Sequence, residues 1–190
     1  MEARQLSISE FLNQVKTRFI IPVYQRNYDW QIKNCNQLFE DIKKLADNNK
    51  NTHFLGSIVY VSGNEIEMID LREFIIIDGQ QRITTLSLFL KALVDCSDDN
   101  DLKEEIEESY LINKRLDEKN KLKLKPIKRD NEVFEKLLKN NLEKNNEKSN
   151  IFKNYLFFKE KIQEFNNNKL IYKAFQKLFI VYIALNRHDD

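Results

Sequence analysis

The densest chemistry in this sequence stands at residues 75–86, IIIDGQQRITTL. An apolar, β-branched run ends in Asp78, Gly79 permits a sharp turn, and a helical pattern begins at once. A helix N-terminus presents unpaired N–H groups and partial positive charge, which suits an anion. Gly79 lets a ligand come close to the backbone. Arg82 can grip a phosphate with two N–H groups. Gln80, Gln81, Thr84 and Thr85 add polar groups in the first turns. Asp78, at the end of the strand, can hold Mg²⁺, orient a water or cap the helix. The competing reading is a structural turn, with Asp78 a plain cap and Arg82 a surface charge.

A second concentration is IPVYQRNYDW, residues 21–30. Tyr24, Tyr28 and Trp30 beside Arg26 can stack on a nucleotide ring, and Arg26 can add a phosphate contact. The same aromatics also suit a core position ahead of the next helix. A third is the segment 114–129, which carries eight basic and two acidic residues. It can track a nucleic-acid backbone, or serve as a solvated edge strand protected by lysines.

Stepping outward, the apolar spacing predicts a short helix over 6–16, a strand over 18–24 that Pro22 limits to an edge or an end, and a helix over 30–47. Strands are expected at 54–61, 65–71 and 74–78, with Gly63-Asn64 as a turn, and a helix at 80–94. From about residue 101 the pattern is mainly helical: 101–116, 130–141, 149–166 and 168–185, with an edge strand at 121–127. The expected organisation is an α/β (α+β) portion over 1–100 and a mainly helical lobe over 101–190. The most promising pocket is where Asp78–Arg82 meets Tyr24–Arg26, segments more than fifty residues apart.

Composition removes several classes. The chain has 190 residues, 31 basic and 30 acidic, for a net charge of +1, so a globally basic nucleic-acid binder is not indicated. Charge is uneven: residues 1–100 hold 11 Lys and Arg against 14 Asp and Glu, residues 101–190 hold 20 against 16. Three scattered glycines (Gly56, Gly63, Gly79) exclude the Gly-rich phosphate loops. Two histidines (His53, His188) and two cysteines (Cys35, Cys96) exclude a Cys/His zinc cluster and a disulfide framework. No apolar run is long enough to span a bilayer and no secretory signal is visible, so a cytoplasmic, non-membrane protein is expected.

The blocks IPVYQRNYDW (21–30), FLGSIVYV (54–61) and FIIIDGQQRITTL (74–86) together resemble the N-terminal domain of GmrSD-type restriction proteins. That family is described as ParB/sulfiredoxin-like, with DGQQR, here 78–82, as its hallmark. Weaker agreement continues through LKLKPIKRDNEVF (122–134), NYLFFKEKI (154–162) and IVYIAL (180–185). The resemblance implies a small mixed ParB/sulfiredoxin-like sheet with packed helices, in a modification-dependent DNA restriction protein of phage defence. It implies nucleotide binding and NTP hydrolysis, an NTPase domain tied to an endonuclease. Partners would be a nucleoside triphosphate with Mg²⁺ or another divalent cation, DNA through the complete protein, and an HNH-type nuclease domain or subunit outside this chain. The domain is expected to continue past residue 190.

Carried over residue by residue, Asp78, Gln80, Gln81 and Arg82 are the catalytic candidates, and Asp78 the metal ligand. Tyr24, Gln25, Arg26, Gly79, Arg82, Thr84 and Thr85 are the nucleotide and phosphate contacts. Two alternatives remain: a DNA-binding and sensing module without catalysis, and a ParB-like metal-dependent nuclease, to which Glu65, Glu67 and Asp70 would add ligands.

Overall fold

Apolar runs from both ends of the chain pair into one sheet. The structure, a computed structural model, describes residues 1–48, 52–66, 70–142 and 144–185. Its strands are β1 (Glu2–Ser7), β2 (Thr17–Ile20), β3 (His53–Ile66), β4 (Leu71–Asp78), β5 (Leu124–Lys125) and β6 (Leu178–Leu185). Its α-helices are α1 (Ile8–Leu12), α2 (Ile32–Asp47), α3 (Gln80–Cys96), α4 (Asn100–Ile106), α5 (Lys128–Leu138), α6 (Asn150–Phe165) and α7 (Asn168–Phe175). A π-helical turn, Glu107–Leu111, continues α4, and a 3₁₀ turn, Lys144–Lys148, precedes α6. The architecture is the mixed α/β class that the sequence predicts.

The strand order is β1-β6-β3-β4-β2-β5. β4, β2 and β5 run parallel to one another, as do β3 and β6, while β1–β6 and β3–β4 are antiparallel. The carboxyl ends of β4, β2 and β5 therefore open on one edge of the sheet. In open α/β sheets that edge is where ligands bind.

Several boundaries differ from the sequence reading. β3 runs through Gly63-Asn64, which the register shift between Ser62 and Glu65 accommodates as an irregularity within the strand. The expected strands 65–71 and 74–78 resolve into the end of β3 and the single strand β4. The reversal between them includes residues outside those described. The helix expected over 168–185 stops at Phe175. Its second half is β6, placed between β1 and β3. LFIVYIAL is an apolar run without turn residues before it, and such a run fits a buried strand as well as a helix. The helix expected over 6–16 is confined to Ile8–Leu12, and Leu6 and Ser7 belong instead to β1, whose mostly polar EARQLS forms a strand by pairing with β6 from Glu2↔Ala184 to Ser7↔Phe179. β5 is an edge strand, as expected, but only two residues long.

The core joins sheet and helices. Phe11 of α1 packs on Phe19, Tyr60 and Tyr182, and Tyr60 stacks on Phe74 at 4.3 Å. α3 is its centre, with every residue from Gln80 to Val94 buried except Arg82. Phe89 meets Phe158 of α6 at 5.6 Å and Phe175 of α7 at 6.1 Å. A helix enclosed on all sides holds its N-terminus rigidly at the sheet edge.

Candidate functional site

The turn from β4 into α3 is made by Gly79. Its φ of +93° lies in the left-handed region, and a Cβ there would sit 3.0 Å from Ile58 Cγ1 and 3.1 Å from the Ser57 carbonyl. Only glycine fits without strain. As the helix cap it supplies no side-chain acceptor, and the first N–H groups of α3 have no acceptor among the described residues.

Gly56 does a different job. Its φ is +124°, and the Arg82 guanidinium occupies the space its Cβ would need, with Cζ at 2.8 Å. Arg82 Nη1 donates to the Ser57 carbonyl at 2.9 Å. The glycine of FLGSI and the arginine of DGQQR are thus one structural unit: the bare backbone is the shelf on which Arg82 lies, half-buried beside the helix start.

The 21–30 loop docks on this same edge. Gln25 Nε2 donates to the Ile77 carbonyl at 3.0 Å. Gln81 Oε1 accepts from the backbone N–H groups of Asp29 (3.0 Å) and Trp30 (3.3 Å), and its Nε2 donates to the Asn27 carbonyl at 3.1 Å. The Tyr28 hydroxyl is hydrogen-bonded to Thr85 Oγ1 at 2.7 Å and accepts from Asn154 Nδ2 at 2.9 Å. Burial pushes the Tyr28 phenol well above its ordinary pKa, so it stays protonated. The same burial pushes the neighbouring Cys35 thiol up to about 11. The two motif segments are therefore in direct contact.

The candidates divide into two sets. Gln25, Gln81 and Thr85 are engaged in holding the loop, and Thr84 donates to the Gln80 carbonyl at 2.9 Å within the helix. The others face outward. Asp78 is exposed at the end of β4 with no hydrogen-bond partner among the described residues. Tyr24 is 71% exposed. Arg26 is exposed and lies 3.3 Å from Asp29, a surface pair that other ligands can displace cheaply. Gln80 is 8% exposed, yet its amide has no partner among the described residues.

Gln80 lines a narrow cleft with Ile21, Arg26, Tyr28, Gln81, Thr84, Pro126, Ile127 and Asp130. Asp130, from the first turn of α5, was not singled out by the sequence reading. Its Oδ2 accepts the Tyr28 N–H at 2.7 Å. Burial pushes its carboxyl upward, opposed by that hydrogen bond and by Arg129. The local signal was KPIKRD after a short strand, masked by the surrounding basic run. Asn154, which also donates to the Trp30 carbonyl at 2.7 Å, had no signal at all. Larger cavities of about 360 Å³ lie elsewhere, around Arg18 and Lys139 and around Asp99 and Tyr172, away from the motif.

Of the carboxylates at this edge, Asp29 faces Arg26 and Asp130 takes the Tyr28 N–H, which leaves Asp78 as the candidate metal ligand. Among the described residues no three His, Cys, Asp or Glu side chains gather as a metal group. Asp70 forms an exposed pair with Lys16 at 2.9 Å, and Glu67 and His188 lie outside the described residues. Asp78 alone fits a cation that takes most of its oxygens from a bound phosphate, a common Mg²⁺ donor set.

Residues 8–190 match the family model described as GmrSD restriction endonuclease, N-terminal domain. The chain belongs to that family. No curated protein matches the chain. No helix among the described residues is long and apolar enough to cross a membrane.

Proposed function

We propose that this member of a restriction-endonuclease family binds the phosphates of a nucleoside triphosphate at the N-terminus of α3 and hydrolyses the terminal one, in the cytoplasm, as part of a phage-defence system. The observation that carries the reading is the start of α3: free N–H groups behind Gly79, with the unpartnered Gln80 amide, Arg82 and Arg26 around them. N–H groups and guanidinium groups together suit a dense anion.

Arg82 offers its remaining N–H groups to phosphate oxygens, and Arg26 does the same once it leaves Asp29. Both stabilise charge that shifts during phosphoryl transfer. Tyr24, exposed at the loop tip, is the residue available to pack on the base, since Tyr28 is buried and engaged. A Mg²⁺ ion held between Asp78 and the phosphates would neutralise their charge. DNA cleavage would belong to an HNH-type nuclease domain or subunit.

Titration calorimetry with four NTPs and Mg²⁺, on the wild type and Arg82→Ala, tests the reading. Binding that weakens at least about tenfold in the variant is expected, the loss of one charge-assisted contact. Wild-type protein that binds no nucleotide overturns it.

One observation favours a second reading. Lys128 and Arg129 precede Asp130 of the cleft along α5, and they and Lys125 are exposed with no ion-pair partner among the described residues. They suit a DNA backbone passing the same helix N-terminus. Steeply salt-dependent DNA affinity without nucleotide turnover is its signature.

A further inference from the structure

The cleft beside Gln80 has a volume of about 10 Å³. That is the space of about one water molecule. Ile21, Pro126 and Ile127 wall it, and Arg26, Gln80, Thr84 and Asp130 supply its polar groups. A water there needs at least two hydrogen-bond partners, and two are free to serve. The Gln80 amide has none other among the described residues. The Asp130 carboxylate uses Oδ2 for the Tyr28 N–H and keeps acceptor capacity for more.

The other candidates for this task are engaged or misplaced. All the hydrogen-bonding directions of Gln81 that the loop requires are taken by Asn27, Asp29 and Trp30. Thr84 donates back to its own helix. Asp78 stands exposed at the strand end and does not line the cleft.

We propose that Asp130 is the general base of this site: with the Gln80 amide it holds one water in the cleft and takes that water's proton during attack on phosphorus. The inference rests on the proposed NTP hydrolysis. The water oxygen forms a bond to the terminal phosphorus and the bridging P–O bond to the preceding phosphate breaks. The proton passes to the Asp130 carboxylate, and the products are the nucleoside diphosphate and inorganic phosphate. No further reactant is needed.

The surroundings suit a base. Half-burial raises the affinity of the carboxylate for a proton, and the Tyr28 N–H and Arg129 on its own helix oppose that rise. Arg26 faces it across the cleft from the loop, and the Tyr28 hydroxyl points away to Thr85 and Asn154. The short span from β5 to α5 sets its position: Ile20 of β2 pairs with Lys125, and Ile21 N–H bonds to the Lys125 carbonyl at 3.0 Å.

The test compares wild type, Asp130→Asn and Asp130→Glu over a pH series. It measures phosphate release from each NTP with Mg²⁺, nucleotide affinity and the melting temperature. Asparagine keeps an acceptor for the Tyr28 N–H, so the fold and nucleotide affinity are expected to hold. Turnover is expected to fall by about 100-fold or more, the usual contribution of a positioned base. Wild-type kcat is expected to decline as pH falls through the carboxyl pKa, with that limb absent in Asp130→Asn and partly restored activity in Asp130→Glu. Asp130→Asn turnover within about threefold of an active wild type overturns the assignment of the base alone. A wild type that turns over no nucleotide overturns the proposed hydrolysis, and this inference with it.

Discussion

The α3 N-terminus and the basic segment 114–129 both concentrate polar residues, and they are built differently. In the basic segment three of the eight cations are built into the fold, while Arg115, Lys119, Lys125, Lys128 and Arg129 are exposed with no side-chain partner among the described residues. Lys114 is clamped by Glu104 and Glu108, and Lys121 pairs with Glu118 at 3.2 Å. Lys123 is 2% exposed, and its Nζ donates to the carbonyls of Leu12 (3.2 Å), Gln14 (3.2 Å) and Ser109 (2.6 Å). Asn120 accepts from Arg18, itself paired with Glu73 at 2.5 Å. This segment ties α1, β2 and the π-helical turn together. At the α3 N-terminus, the Gln80 amide, the Asp78 carboxylate and the first helical N–H groups have no partner among the described residues. Polar density marks both regions; in the first the free groups are solvated surface cations, whereas in the second a largely buried amide has no partner among the described residues, and a buried polar group without one is what a ligand can satisfy.

Lys123→Met makes the largest break in this contrast. Three backbone carbonyls lose an ammonium, and a loss of about 3 kcal/mol in unfolding free energy is expected, reduced from the sum of the bonds because a buried charge also disappears. Denaturant melts measure it. Burial pushes the Lys123 pKa down to about 8. As pH rises from about 8 to about 10, the folded protein sheds this proton while the unfolded chain still binds it. The advantage of wild type over Lys123→Met should therefore widen across that window. A constant gap would show that the ammonium keeps its proton in the fold.

Gln81→Ala comes next. It removes the three Gln81 bonds to the 27–30 loop and leaves the Tyr28–Thr85 bond, and a loss of about 2 kcal/mol is expected. Amide hydrogen exchange should accelerate at Asp29 and Trp30. Gly56→Ala should cost about 1–2 kcal/mol, since its Cβ meets the Arg82 guanidinium at a positive φ. It should also weaken phosphate binding by displacing Arg82, which calorimetry reads. The smallest stability effect belongs to Gln80→Ala, within about 0.5 kcal/mol, because its amide holds nothing in the fold. The adjacent glutamines thus separate the two functions: one variant loosens the loop, the other weakens the ligand. Equal stability losses in Gln80→Ala and Gln81→Ala would collapse the distinction.

Much of the site was legible beforehand. Residues 78–82 stood out because a strand, a glycine and a helix start fall together, and the 21–30 block because aromatics flank an arginine. Their contact follows from parallel pairing of β2 with β4, which brings both carboxyl ends to one edge. Other parts were not legible. Asp130 looked like one acid in a basic run. β6 looked helical because LFIVYIAL is apolar at every position, and periodicity cannot separate a strand from a helix there. β1 has no strand pattern of its own.

The sequence by itself determined the helical stripes of α2, α3 and α6, the left-handed need for glycine at position 79, and the clustering of anion-binding residue types at 78–82. These depend on neighbours within a few positions, so local physics decides them. Tertiary structure alone decided that LFIVYIAL is a strand, by offering β1 and β3 as partners on its two sides. It alone decided that Gln81 is engaged and Gln80 free, and that Asp130 joins them. A polar group's role rests on whether its hydrogen bonds are met, and the groups that meet them here lie fifty to a hundred residues away along the chain.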